Sequence, residues 1–448
     1  MQPSAEPHGT KRALSVWDST AIIVGIIIGV GIYETTPTVA SSIGTPWGIL
    51  GVWGAGGLLA LTGALVYAEL ATTYPQSGGD LIYLSRAYGP RAGFLFAWSQ
   101  MVIIRPGDIA LMAFVFARYG AQLIMPFADP DLGRQVYAAG AVVVLTAINI
   151  LGVSAGARVQ NALTVLKVLG LLVIIVAGLV AHGPETSSIA AETTPGGVQL
   201  AFILVLFTYG GWSDMGYVAA EVRDPERNIV RALVMGTVAV TVLYVAANTA
   251  FLHALGRDTM ATSKAVAVDT VATVLPSEAG RWVALFICIS ALGACNGLIL
   301  TGGRITYALG RAYHPFRVFG HWAPEASSPQ RALLMQGVLS LVMVLALGSF
   351  LDTILYAAPV AWLFFLGTAC AIMVLRYREP DVARPFRVPL YPVVPLLFVG
   401  FALFMLVNCV TYALDQKPWG LAIVTAVFVS GVMVHLCVGD HAPPNKHT

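Results

Sequence analysis

Charge is what this sequence has least of. Asp, Glu, Lys and Arg together make up 11% of its 448 residues, where a soluble domain carries about 25%. So few charges cannot solvate a globular surface of that length, which excludes an ordinary soluble fold. The formal net charge is only +2. With no basic face to neutralise phosphates, nucleic acid is excluded as a partner. Cysteine is sparse as well. Cys288, Cys295, Cys370, Cys409 and Cys437 all fall in apolar runs without CxxC spacing, so they read as small buried hydrophobes. Neither HExxH nor the GxxxxGK[ST] phosphate loop occurs. The sequence therefore offers no zinc-protease site and no ATP-driven motor, and it implies no cofactor and no metal. The first seventeen residues are polar, and they read as a short tail rather than a cleaved signal peptide.

Apolar residues are abundant instead: 57% of the chain, with a mean hydropathy of +0.78. A helix needs about 20 apolar residues to cross a bilayer. Such runs occur at 18–43, 48–74, 92–117, 136–152, 162–182, 198–220, 230–255, 281–310, 332–350, 354–375, 390–413 and 418–438. The expectation is an all-α integral membrane protein of about twelve transmembrane helices in contact with the lipid bilayer. An even number of spans puts both ends on one side. Most of the 25 Lys and Arg residues fall in segments on that side. By the positive-inside rule both termini (1–17 and 439–448) are cytoplasmic and the membrane is the cell membrane.

Two of these runs are interrupted. Residues 25–34 read GIIIGVGIYE, and span 6 contains AFILVLFTYGGWSDMGYVAAE. Glycine weakens a helix by about 1 kcal/mol against alanine, although small residues also let membrane helices pack closely. The pair says more than either break alone. Spans 1 and 6 correspond if spans 1–5 and 6–10 are repeats, and matched broken helices point to a midplane transport site. Unwound backbone is tolerated in a membrane only where it lines a cavity. Free amides at such a break suit a carboxylate and free carbonyls suit an ammonium. A zwitterionic amino acid offers both.

Several motifs then become recognisable: IIIGVGIY (26–33), LVYAELATTYPQSGGDLIYLSRAYGP (65–90), IIRPGDIALMAFVFARY (103–119), RVQNALTVLK (158–167), FTYGGWSD (207–214), EVRDPERNIVRAL (221–233) and RPFRVPLYPVVPLLF (384–398). In this order the chain resembles the amino acid–polyamine–organocation superfamily of transporters over about 15–440. Within it the chain is most similar to the L-type, neutral amino acid branch and its bacterial relatives. The resemblance implies a leucine-transporter-type fold. That fold has two inverted five-helix repeats (18–182 and 198–375), broken helices 1 and 6, and two additional helices (390–438).

The resemblance also implies roles for particular residues. Gly29, Val30 and Gly31 match the stretch whose backbone amides bind the substrate carboxylate. Phe207 matches the aromatic that closes over substrate. Thr208, Tyr209 and Gly210 match the turn that exposes carbonyls to the amino group, and Trp212 is placed to shape the side-chain pocket. Lys167 matches a helix-5 lysine that contacts the unwound part of helix 1, where sodium-coupled relatives bind an ion. Its ammonium would make sodium unnecessary, or carry a proton. The residues alone leave a second reading, a lysine near the end of span 5 that snorkels to the interface.

Other intramembrane polar groups keep more than one reading. Arg105 and Asp108 are spaced to pair at i,i+3, or they form a pocket wall. Asn296 and Gly297 line the cavity, or the asparagine bonds helices together. Glu69, in YAELA, reads as a structural residue or an inner-gate ion pair. Glu34 departs from the superfamily pattern. It is hydrated in an external vestibule, or paired with a cation such as Arg105, or it takes a proton or recognises an amine on the substrate. A further departure concerns partners. Animal L-type transporters bond a heavy chain through a cysteine between helices 3 and 4, and the loop here (120–135) has none. A disulfide-linked heavy chain is not expected.

The function that follows is secondary active transport of small to medium neutral L-amino acids by alternating access, without sodium, by exchange or proton coupling. Cationic amino acids or polyamines are the alternative substrates, on account of Glu34. A non-transporting amino-acid sensor would carry an appended signalling domain, and the tails are short. An intramembrane enzyme would need a clustered nucleophile and base, which the sequence lacks.

Overall fold

The computed structural model describes residues 12–121, 123, 129–183, 193, 196–346, 350–416 and 418–438. Most of both expected tails, and most of the 182–197 loop, lie outside these. The described chain is helical throughout. Its only extended pairings are isolated bridges, Leu14 with Val222 and Ala323 with Ser328.

The first span is made of α1 (Val16–Ile27), α2 (Gly31–Glu34) and α3 (Thr36–Ser42). It starts on a reciprocal cap. The Asp18 amide donates to Ser15 Oγ at 3.2 Å, and the Ser15 amide donates to Asp18 Oδ2 at 2.8 Å, which satisfies two amides the helix leaves free. It is followed by α4 (Pro46–Thr73), α5 (Asp80–Tyr88) and α6 (Pro90–Ser99). A π-helical turn, Gln100–Ile104, then leads into α7 (Arg105–Gly120). Pro106 has no amide for the carbonyl four residues before it, and a widened turn accommodates that loss. Next are α8 (Pro130–Ile150), α9 (Val153–Val180), α10 (Gly197–Thr208) and the four-residue α11 (Asp214–Tyr217). The remainder is α12 (Pro225–Thr262), α13 (Val266–Ala272), α14 (Gly280–Ala312), α15 (Gln330–Ala346), α16 (Phe350–Arg378), α17 (Val393–Gln416) and α18 (Pro418–Val438).

Among the described residues nine helices are long and apolar enough to cross a membrane. Three shorter apolar helices, Gly197–Thr208, Gln330–Ala346 and Thr425–Val438, stand where the sixth, ninth and twelfth spans were expected. Val165, Leu166, Leu169, Val173 and Val176 are all exposed along α9. Such a stripe would be a liability in water and is a lipid-facing surface in a bilayer. The protein is a multi-pass membrane protein. Cys288, Cys295 and Cys409 are buried as expected, but Cys437 is exposed on this apolar exterior.

The fifth span begins at Val153, nine residues before the apolar run that predicted it at 162. The polar residues that masked its first turns face other helices. Asn161 donates to Asp18 at 2.6 Å, and Gln160 accepts from Asn296 at 2.8 Å.

The face of the bundle that carries the N-terminal end is closed by ion pairs and main-chain bonds. The Leu14 amide donates to the Glu221 carbonyl at 2.9 Å, and the Arg223 amide returns to the Leu14 carbonyl at 2.9 Å. Glu221 and Arg304, both at most 1% exposed, form a two-pronged pair at 2.7 and 3.0 Å. Glu69 accepts from Arg376 at 2.8 and 2.5 Å and from the Val388 amide at 2.6 Å. The side chain expected as a structural or gating pair is thus an ion pair tying α4 to α16.

Glu379, just past α16, accepts from Arg86 at 3.0 Å and from Tyr74 at 2.8 Å. Burial works to raise its pKa, but the Arg86 and Tyr74 hydrogen bonds outweigh it and hold the carboxyl below its ordinary range. A carboxylate with a depressed pKa contributes stability above its unfolded value and loses it as pH falls through the folded value. Glu379→Gln is therefore expected to flatten the acid limb of a melting-temperature profile and to change little at neutral pH. An acid limb unchanged by the substitution would remove this assignment.

Candidate functional site

The two helix breaks face one cavity of about 160 Å³. Gly29, Val30 and Gly31 line it from the first break, and Phe207, Thr208 and Gly210 from the second. The breaks touch. A Cβ on Gly31 would lie 2.6 Å from Thr208 Oγ1, so only glycine permits this approach. Thr35 Oγ1 and Thr208 Oγ1 are 3.2 Å apart across the same contact.

The backbone at the breaks is free to bind. Gly29 turns its amide back to the Ile27 carbonyl at 2.7 Å. Among the described residues no hydrogen bond is made by the Val30 amide, nor by the carbonyls of Thr208 and Tyr209. A buried, unsatisfied backbone group costs about 1–3 kcal/mol, and a bound solute can supply the missing partners. Donors on one break and acceptors on the other fit a molecule with a carboxylate beside an ammonium.

Lys167 stands behind the first break. It is the fifteenth residue of α9, about 21 Å along the helix at 1.5 Å per residue. It is fully buried, and its Nζ donates to the carbonyls of Gly25 at 2.8 Å, Ile28 at 2.7 Å and Ser290 at 2.9 Å. Ser290 Oγ adds a bond to the Gly29 carbonyl at 2.7 Å. The snorkelling alternative is thereby overturned, because the ammonium turns inward onto carbonyls. Gly293 leaves the room for it: a Cβ there would sit 2.6 Å from Lys167 Cε.

The rings of Tyr209 and Trp212 both lie away from the cavity lining, and of the two only the Trp212 side chain was expected in the pocket. Tyr209 contributes only its backbone to the break. Its ring packs on Trp53 and Tyr244, and its hydroxyl donates to the Trp53 carbonyl at 3.0 Å. Trp212 is buried edge-on against Tyr67, at 5.0 Å between ring centroids, and against Phe398, at 5.4 Å. It anchors the second break against α4 and α17 and leaves the cavity wall to others. Leu111 and Met112 of α7, with Trp362 and Phe365 of α16, form that wall.

The charged residues are paired differently from the sequence spacing. Arg105 reaches Asp214 of α11 at 2.8 Å instead of Asp108, and Thr301 donates to the same carboxylate at 2.5 Å. Arg105, Asp108 and Asp214 all line the cavity. Sequence reasoning missed Asp214, although a carboxylate directly after a glycine break was visible in FTYGGWSD. Glu34 is held by Arg118 at 3.1 Å and Tyr119 at 3.0 Å. Of its alternatives the structure shows the pairing with a cation, with Arg118 in the place of Arg105, and Glu34 is not among the residues lining this cavity. Asn296 donates to Gln160 at 2.8 Å and accepts from Asn149 at 2.8 Å. It bonds α14 to α8 and α9 and does not line the cavity. Among the described residues no cluster of His, Cys, Asp and Glu has the makings of a metal site.

A multi-span bundle with two broken helices around one buried cavity defines a membrane transporter for a small solute. The family model described as amino acid permease matches residues 14–432, and the chain belongs to that family of amino acid transporters. It is 31% identical to the b(0,+)-type amino acid transporter 1 of Mus musculus, over 95% of this chain and 87% of that protein. It is 32% identical to the large neutral amino acids transporter small subunit 2 of Oryctolagus cuniculus, over 95% of this chain and 80% of that one. The cystine/glutamate transporter of Pongo abelii is 31% identical over 96% and 86%. These proteins are transporters and not enzymes. Their names give different substrates, so the family does not fix which amino acid this chain carries.

Proposed function

We propose that the protein is a sodium-independent secondary transporter of L-amino acids, working by alternating access in the cell membrane with both termini cytoplasmic. The observation that carries this is a free Val30 amide at one break and a free Thr208 carbonyl at the other, on residues that line the same cavity. The amide takes the α-carboxylate and the carbonyl takes the α-ammonium. Lys167 supplies a fixed positive charge behind the first break, which does the work a bound sodium ion would do. The equivalence of the two breaks supports inverted repeats at 18–182 and 198–375, moving against each other. The absence of cysteine from 120–135 favours transport without a disulfide-linked heavy chain. Small to medium neutral side chains are served by the apolar wall of Leu111, Met112, Trp362 and Phe365. A basic side chain is the second reading, favoured by the carboxylate of Asp108 in the same cavity.

The test is uptake of a radiolabelled amino-acid panel into proteoliposomes at two pH values, with and without internal amino acid. The expected result is flux without sodium. Flux only into amino-acid-loaded vesicles identifies an exchanger, and filling of empty vesicles from an acidic exterior identifies proton symport. An absolute sodium requirement would contradict the role of Lys167, and binding without flux in any condition would leave a sensor.

A further inference from the structure

The cavity has a polar end that the two breaks do not use. Gln100 from the π-helical turn, Arg105 and Asp108 from the first turn of α7, and Asp214 from α11 line it. The Arg105 charge is answered by Asp214 at 2.8 Å. Asp108 makes no hydrogen bond and no ion pair among the described residues. One guanidinium thus faces two carboxyl groups and is paired with only one of them. Lys167 does not pair with the other, because its ammonium is committed to three carbonyls behind the first break. Two further atoms at this end are buried without partners: Gln100 Oε1, in a residue 5% exposed, and Arg105 Nε, in a residue 4% exposed. Unpaired polar groups of this kind are costly inside a membrane protein and mark a place where a ligand supplies the partner. An acidic side chain would be repelled by two carboxylates, and an aliphatic one would leave Asp108 unanswered.

We propose that Asp108 is a specificity-determining residue of this transporter and holds the cationic side chain of a basic amino acid, with Gln100 Oε1 as a second acceptor for its N–H groups. This rests on the amino-acid reading above. The zwitterionic end is clasped at the two breaks. The side chain extends along the apolar wall, and its ammonium or guanidinium ends at Asp108. Charge-assisted bonds to a carboxylate are the strong kind, and removal of one partner of such a pair is felt as a large loss.

The experiment measures exchange of labelled lysine, leucine and glutamine in proteoliposomes, first with the natural protein and then with Asp108→Asn and Asp108→Glu. Lysine is expected to be carried and to compete with leucine. The ratio of kcat/KM for lysine to that for leucine should fall about 30-fold or more in Asp108→Asn and recover in part in Asp108→Glu. If the natural protein carries leucine or glutamine and excludes lysine, the inference is overturned while the amino-acid reading stands, and this arm needs no variant. A lysine-to-leucine ratio unchanged in Asp108→Asn also overturns it, as does a loss confined to acid-driven leucine uptake, which would make Asp108 a proton carrier. If no amino acid moves under any condition, the amino-acid reading itself has failed.

Discussion

Replacing Lys167 by alanine is expected to lower amino-acid transport by about 30-fold or more. The substitution strips the donor from the carbonyls of Gly25 and Ser290 and leaves Ile28 with one bond, from Ser290 Oγ at 3.2 Å. Ser290 lies within α14 and keeps its helical partner, so the Gly25 carbonyl at the broken end of α1 is the one left bare, at about 1–3 kcal/mol, and about 1.4 kcal/mol is a factor of ten. The fixed charge behind the first break is lost as well. Lys167→Arg should fail too, because Gly293 stands so close that even one added carbon there would clash with the lysine stem, and the larger guanidinium has no place to go. Initial rates of exchange in proteoliposomes, normalised to folded protein by size-exclusion chromatography, check both. Recovery of Lys167→Ala by sodium would support the idea that the ammonium replaces an ion. Transport within twofold of the natural protein would remove Lys167 from the mechanism.

The second large effect concerns stability. Glu221 and Arg304 are both fully buried and pair at 2.7 and 3.0 Å. Breaking such a pair from one side leaves an uncompensated charge and costs about 3–5 kcal/mol. Glu221→Leu and Arg304→Met are each expected to destabilise the protein by about that amount. The double substitution removes both charges and should recover most of the loss, since replacement of a whole buried pair by apolar groups is often neutral. Equilibrium unfolding in detergent micelles measures all three. Equal and additive losses in the singles and the double would show that the two side chains act independently. Arg304 also donates to the Leu300 carbonyl at 2.5 Å, so a modest residual loss belongs to arginine alone.

Much of the architecture was legible because bilayer thickness imposes it. Apolar runs near the required length located the spans, and glycines in matched runs located the breaks. Span ends were less legible where polar residues serve the interior. Gln160 and Asn161 look like loop residues, yet they face Asn296 and Asp18 within the bundle. Pairing was the least legible part. Arg105 and Asp108 lie one turn apart, but the partner chosen, Asp214, is 109 residues away, and nothing local in the sequence encodes that. Tyr209 and Trp212 flank the second break, and an unwound turn has no periodicity from which to read which side chains enter the cavity. Lys167 was identified through its resemblance to a known position. Its carbonyl ligands come from two stretches, the end of the first span and α14, that only the fold brings together.

The bridge at Leu14 has a mechanical consequence. Its two main-chain bonds fasten the residues just before α1 to the segment just after α11, so both broken helices share one anchor at the same end. Side-chain ties can exchange partners as a bundle moves, but paired backbone bonds turn as a unit. The stretches below the two breaks therefore behave as a single stiff arm rather than two independent ones. In the alternating-access cycle proposed above, α1 and α11 would then move together rather than in turn.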